Sequence, residues 1–138
     1  KFILKVNCNF PVAQYTLTSV NSETRAKLAA AGKQIEDFFK KHSTNQYLLI
    51  IEGQASYDND KLTWSNYELS FKRAAALAVF WQATCKLDFG SKCELQIAGS
   101  GDGRFNPNSM REANEVSNQR FLIYIITKNI LNKQQDIE

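Results

Sequence analysis

The sequence is poor in the residues that build metal centres and cross-links. Among 138 residues there are three cysteines, Cys8, Cys85 and Cys93, with no Cys-x-x-Cys pair, and a single histidine, His42. A zinc site needs about four such ligands at close spacing, so structural zinc is not expected and no cofactor is read from the chain. Buried thiols, or one bridge between Cys85 and Cys93 across a short connector, are what three cysteines permit. Long hydrophobic runs are also missing. The apolar stretch over 121–126 is far shorter than the roughly 20 residues of a membrane-spanning helix. Charge of one sign is scarce too: 17 basic against 14 acidic side chains give a net charge of +3, scattered without a stripe, which argues against nucleic acid as partner. There is no basic start followed by an apolar run and small residues, and the first residue is Lys1, so the chain reads as a piece of a longer protein. With one histidine at a helix end and no paired nucleophile, no acid, base and oxyanion set is visible, and an enzyme is not expected.

The hydrophobic content of 43% with 22% charged residues is that of an ordinary globular chain, long enough for one core and too short for two. A short strand is expected over 2–6, followed by breakers at Asn7, Asn9 and Pro11. Leu28, Ala31, Ile35, Phe38 and Phe39 recur at helical spacing after a cap at Asn21 or Ser22, and Lys40, Lys41 and His42 sit where cations favour the helix end. The continuous apolar run 47–51 predicts a strand buried on both faces. Residues 54–65 form a polar loop at the carboxyl end of that strand, where α/β sheets tend to bind ligands. A second helix is expected over 66–84 with Leu69, Leu77, Phe80 and Trp81 on one face, a third strand over 93–98, a short helix over 107–116 and a fourth strand over 121–127. The order strand, helix, strand, helix, strand, strand implies an α/β (α+β) domain over 1–128 with helices on one side of a mixed four-stranded sheet, and a frayed tail over 129–138.

Four short segments carry more. Glu52-Gly53-Gln54-Ala55-Ser56 follows the buried strand, with Gly53 expected to let the chain turn sharply out of it, and Asn66-Tyr67-Glu68-Leu69-Ser70-Phe71-Lys72-Arg73-Ala74 opens the second helix. Gly99-Ser100-Gly101 follows the third strand and Asn118-Gln119-Arg120 precedes the fourth. Over 2–127 this series resembles the OmpA-like peptidoglycan-binding family, with its Gly-His-Thr-Asp turn, Asn-x-x-Leu-Ser-x-x-Arg-Ala helix start, Gly-x-Gly, and Asn-Arg-Arg. The wording over 65–70 is similar to the flagellar stator branch, MotB.

The resemblance implies a non-catalytic cell-wall module of the periplasm or outer membrane that holds the diamino acid of the peptidoglycan stem peptide and anchors an upstream membrane or lipid-linked segment. Arg73 would grip the diamino acid's carboxylate through two parallel hydrogen bonds. The family aspartate that takes the ammonium is replaced by Ser56, next to Ala55, so only the carboxylate half transfers; Asp58 lies in the same loop as a stand-in. Asn66 as helix cap, Leu69 and Arg120 complete the candidate set, with Arg120 also readable as a structural tie from the start of the last strand to the neighbouring loop. Two alternatives remain open: Arg73 as an ion-pair partner of Glu52 or Asp58, and a domain that has lost the ligand and serves assembly or a MotB-like stator. Peptidoglycan and other envelope proteins are the partners this implies, with a homodimer left open.

Overall fold

The computed structural model describes residues 2–11, 13–56, 63–103, 111–112 and 118–128. Strand β1 (Phe2–Asn7) is followed by a single 3-10 turn at Leu17–Ser19 and helix α1 (Ser22–Lys41). Strand β2 (Tyr47–Gly53), helix α2 (Thr63–Val79), a π turn (Phe80–Thr84), β3 (Cys93–Gly99) and β4 (Arg120–Thr127) complete the order. The expected short helix over 107–116, Asp58 and the tail over 129–138 fall largely or wholly outside the described residues.

The four strands form one sheet in the order β1-β4-β2-β3, antiparallel between β1 and β4 and between β4 and β2, parallel between β2 and β3. Register and side-chain alternation put Tyr47, Leu49, Ile51 and Gly53 of β2 on one face with Phe121, Ile123 and Ile125 of β4 and with Cys93, Leu95 and Ile97 of β3. That face meets Leu28, Ile35 and Phe39 of α1 and Ala74, Leu77 and Trp81 of the second helical segment in one core. Both helices therefore pack on one side of a mixed sheet, as the order of elements predicts.

Helix α1 starts where its sequence says, because the Asn21 side chain accepts the Thr24 N–H at 2.7 Å. Trp81, fully buried, donates its indole N–H to the Leu28 carbonyl at 2.8 Å, which pins the π turn to α1. The three cysteines are free thiols. The Cys85–Cys93 bridge that the sequence permits is not formed: the Cys85 N–H donates to the Phe80 carbonyl closing the π turn, while Cys93 opens β3 opposite Tyr47.

One buried charge ties α1 to the turn before β3. Glu36, 6% exposed, accepts Lys33 Nζ at 2.8 Å and Lys40 Nζ at 3.3 Å on one oxygen and the Asp88 N–H at 2.8 Å on the other. The Lys33 bond first, then the Asp88 amide, hold its carboxyl at about 2 against an ordinary 4.5. A lowered carboxyl stabilises the fold above its unfolded value and loses that contribution as pH falls through the folded one. Glu36→Gln is thus expected to melt below the parent at pH 7, with the gap closing between pH 4.5 and about 2. A gap independent of pH in thermal melts would show that the Glu36 charge contributes nothing.

Candidate functional site

The top of the sheet, where β2 and β3 end and α2 begins, owes its shape to two glycines. Gly53 and Gly99 are partners across β2 and β3, and α2 lies directly on them. A Cβ on Gly53 would stand 2.1 Å from the Ser70 carbonyl oxygen, and one on Gly99 would stand 2.6 Å from the Phe71 nitrogen. Gly53 is therefore not the sharp turn out of the strand that its sequence position suggests; it is the last residue of β2, and its missing side chain admits the helix backbone.

Around that contact the loops are latched by hydrogen bonds. The Ala55 N–H donates to the Gly101 carbonyl at 2.9 Å, Ser100 N–H to Gly53 at 3.0 Å, and Gly101 N–H to Ser70 Oγ at 2.9 Å. Ala55 also accepts Arg111 at 2.8 Å. Arg120, 5% exposed, donates from Nε to Gln54 Oε1 at 2.8 Å and pairs with Glu112 at 3.0 Å. Ser56 accepts Gln119 Nε2 at 2.9 Å. Ala55 and Arg120 are thus engaged in holding the loops together. Asp58 lies outside the described residues.

Asn66 is a correction. Helix α2 begins at Thr63, so Asn66 sits inside its first turn and does not cap it; the buried side-chain amide donates instead to Asp102 Oδ2 at 2.9 Å. An asparagine at a helix start reads as a cap in sequence, and only the fold reveals the acid 36 residues away. Leu69, expected on the core-facing stripe, is only half-buried and absent from the core; with Ala13, Tyr15, Ser65, Asn66, Glu68 and Lys72 it lines a cavity of about 230 Å3.

Arg73 lies on the same helix face as Asn66 and Leu69, by the spacing i, i+3, i+7. It is 5% exposed, its guanidinium stacks on the Phe10 ring at 4.6 Å, and its Nε donates to the Gln14 carbonyl at 2.9 Å. Gln14 stands between Ala13 and Tyr15, two lining residues of that cavity. No described residue accepts from the terminal nitrogens of Arg73, and no described acid pairs with it; Glu52 instead meets Tyr124 and Gln54, each at 3.4 Å. Burial draws the guanidinium down to about 10, which leaves it charged at neutral pH, and burial pushes the adjacent Cys8 thiol up to about 11. Ala13 holds a left-handed φ of 61°, a strained conformation for a residue with a Cβ, at the edge of the same cavity. Cys8, Phe10, Gln14 and Asp102 carry no local signal of a role; they reach the site only through the fold. Among the described residues no cluster of His, Cys, Asp and Glu could hold a metal, and no helix is long and apolar enough to cross a membrane.

No family model and no curated protein matches this chain. Solved structures do. The periplasmic domain of Helicobacter pylori MotB is 19% identical, with 95% of this chain and 80% of that one covered at a TM-score of 0.63. The OmpA-like domain of FopA1 from Francisella tularensis is 20% identical over 91% of this chain and 71% of its own, at 0.55. The peptidoglycan-associated lipoprotein of Burkholderia pseudomallei is 19% identical over 88% and 89%, at 0.54. With two helices on one face of the β1-β4-β2-β3 sheet, these likenesses identify the fold of the chain as that of the OmpA-like domains.

Proposed function

We propose that this chain is a non-catalytic module of the cell envelope, periplasmic or outer-membrane associated, that holds peptidoglycan without a covalent bond and anchors whatever is joined to it. It does so through the carboxylate of the stem peptide's diamino acid. One observation carries this reading: a buried, charged Arg73 whose terminal nitrogens meet no described acceptor, beside a cavity lined by Asn66 and Leu69. A desolvated guanidinium without a carboxylate is costly, and an incoming carboxylate supplies two charge-assisted bonds in matching geometry. The neighbour named as a peptidoglycan-associated lipoprotein supports the same partner, and the periplasmic domain of MotB supports the same compartment. Co-sedimentation with purified cell-wall sacculi tests it: the domain should pellet with them and be released by soluble stem peptide.

The ammonium half of the pocket is the weak half, since Ser56 has no charge. Its hydroxyl already accepts from Gln119, and a carboxylate there keeps that bond while adding an anion. Ser56→Asp should therefore tighten binding of a diamino-acid stem peptide by roughly tenfold or more, the worth of one charge-assisted contact. Calorimetry giving equal affinities for parent and variant would remove Ser56 from the site.

A second reading, a protein-interaction or assembly module, is favoured by one feature. An apolar groove of about 680 Å3 runs along α2 between Leu17, Ala75, Ala76, Val79 and Phe80, and Val79 is 61% exposed. A domain that ignores sacculi while self-associating or capturing an envelope protein would follow this reading instead.

A further inference from the structure

At the opposite end of the sheet from Gly53, the end of α1, the start of β2 and the turn into β3 enclose a second cavity, of about 310 Å3. That is at the small end of ligand pockets, which span about 300–1,000 Å3. Its floor is aromatic: Phe39 lies 5.0 Å from the Tyr47 ring and 6.1 Å from the Phe89 ring, and all three side chains are buried. Its rim carries two lysines, Lys40 and Lys92, with His42 between them. Asp88, the one acid among the described lining residues, is committed to its own turn, accepting the Gly90 N–H at 2.9 Å.

Two donors in this cavity meet no acceptor among the described residues. Tyr47 is only 4% exposed and its hydroxyl accepts Asn45 Nδ2 at 3.4 Å, yet no described residue accepts the hydroxyl proton. A buried donor left unmet is rare in folded proteins and points to a missing acceptor. Lys92 pairs with no described acid, and its carbonyl is bonded to the Tyr47 N–H at 2.9 Å, so the two residues are neighbours. Lys40, by contrast, is already tied to Glu36.

We propose that this cavity is a binding site for a small aromatic carboxylate, with its ring on Phe39, Tyr47 and Phe89 and its carboxylate between the Tyr47 hydroxyl and the Lys92 ammonium. The site is separate from Arg73 and stands whether or not the domain binds the cell wall. An apolar floor supplies affinity, while the hydroxyl and ammonium select the anion over neutral or cationic molecules of the same shape.

The test uses the full chain with phenylacetate, benzyl alcohol and phenethylamine as probes. Amide chemical shifts report the location of binding, and alkylation of Cys93, which lines the cavity, reports occupancy. Phenylacetate should shift residues 39–47 and 88–93 with saturation and slow Cys93 alkylation, and the other two probes should bind at least roughly tenfold more weakly. Lys92→Glu should cost roughly tenfold in phenylacetate affinity, and Tyr47→Phe several-fold with the ring floor intact. Retention on sacculi should be unchanged in both variants. Equal binding by the three probes, shifts that never saturate, or an unaltered affinity in Lys92→Glu and Tyr47→Phe would overturn the proposal.

Discussion

Truncating Arg73→Ala is expected to abolish retention on sacculi. Removing one partner of a buried, doubly hydrogen-bonded ion pair typically loses about 2–5 kcal/mol, and about 4 kcal/mol moves a micromolar complex to the millimolar range. Arg73→Lys should fail nearly as badly, because an ammonium on a flexible stem cannot reproduce two parallel bonds, nor the stack on Phe10. Both variants also lose the bond to the Gln14 carbonyl, so each should melt somewhat lower than the parent. The pattern is diagnostic: a modest loss of stability with a complete loss of retention assigns Arg73 to the ligand. A large loss of stability in a domain that never bound sacculi assigns it to the fold.

Gly53→Ala should produce a large loss of stability, since among the described glycines its added Cβ meets the shortest contact. The new Cβ would have to share space with the Ser70 carbonyl oxygen, which is backbone of α2 and cannot swing aside as a side chain can. The helix must lift from the sheet, taking Ser70, the Gly101 amide it accepts, and Ala74 with it. Overpacking of this kind costs roughly 2–3 kcal/mol, a fall in Tm of about 10 °C for a domain of this size. Gly90→Ala is the control. Its φ of 86° disfavours a side chain, but nothing lies within 4 Å of the added Cβ, so about 1 kcal/mol from backbone strain is all that should be lost. Chemical denaturation of both variants separates close packing from conformational strain; equal losses would refute the helix-on-glycine account.

The elements with strong local signals were legible from the chain alone. The unbroken apolar run of β2, the 3.6-residue period and Asn21 cap of α1, and the β-branched run of β4 all appear where the pattern places them. What failed depended on contacts distant in sequence. Asn66 has the composition of a cap, yet α2 starts earlier and Asn66 turns to Asp102 across the top of the sheet. Gly53 reads as a turn residue, because nothing local announces that a helix backbone will press against it. Glu36 looks like one more solvated acid on α1 until the turn before β3 brings the Asp88 amide to it.

The candidate site divides along the same line. Arg73 and Leu69 were readable through a helix-start motif, whereas the Phe10 ring and Gln14 carbonyl that hold the guanidinium come from the segment after β1, 59 or more residues earlier. Ser56 and Ala55 were readable as positions but not as roles, whereas Arg120 was readable as a tie between the last strand and the neighbouring loop. The structure gives each a hydrogen-bond partner in the neighbouring loops. Arg73 differs from Arg120 in this respect. Arg120 has Glu112, and Arg73 has no described acid.

The claim that Arg73 exists to take a carboxylate is tested most directly by titrating the domain with two stem peptides that differ at one atom, the diamino-acid carboxylate being free in one and amidated in the other. The account predicts saturable binding of the free acid, lost in Arg73→Ala, and binding of the amide weakened by at least roughly tenfold. Equal affinity for the two peptides, or binding of the free acid that survives Arg73→Ala, would contradict it.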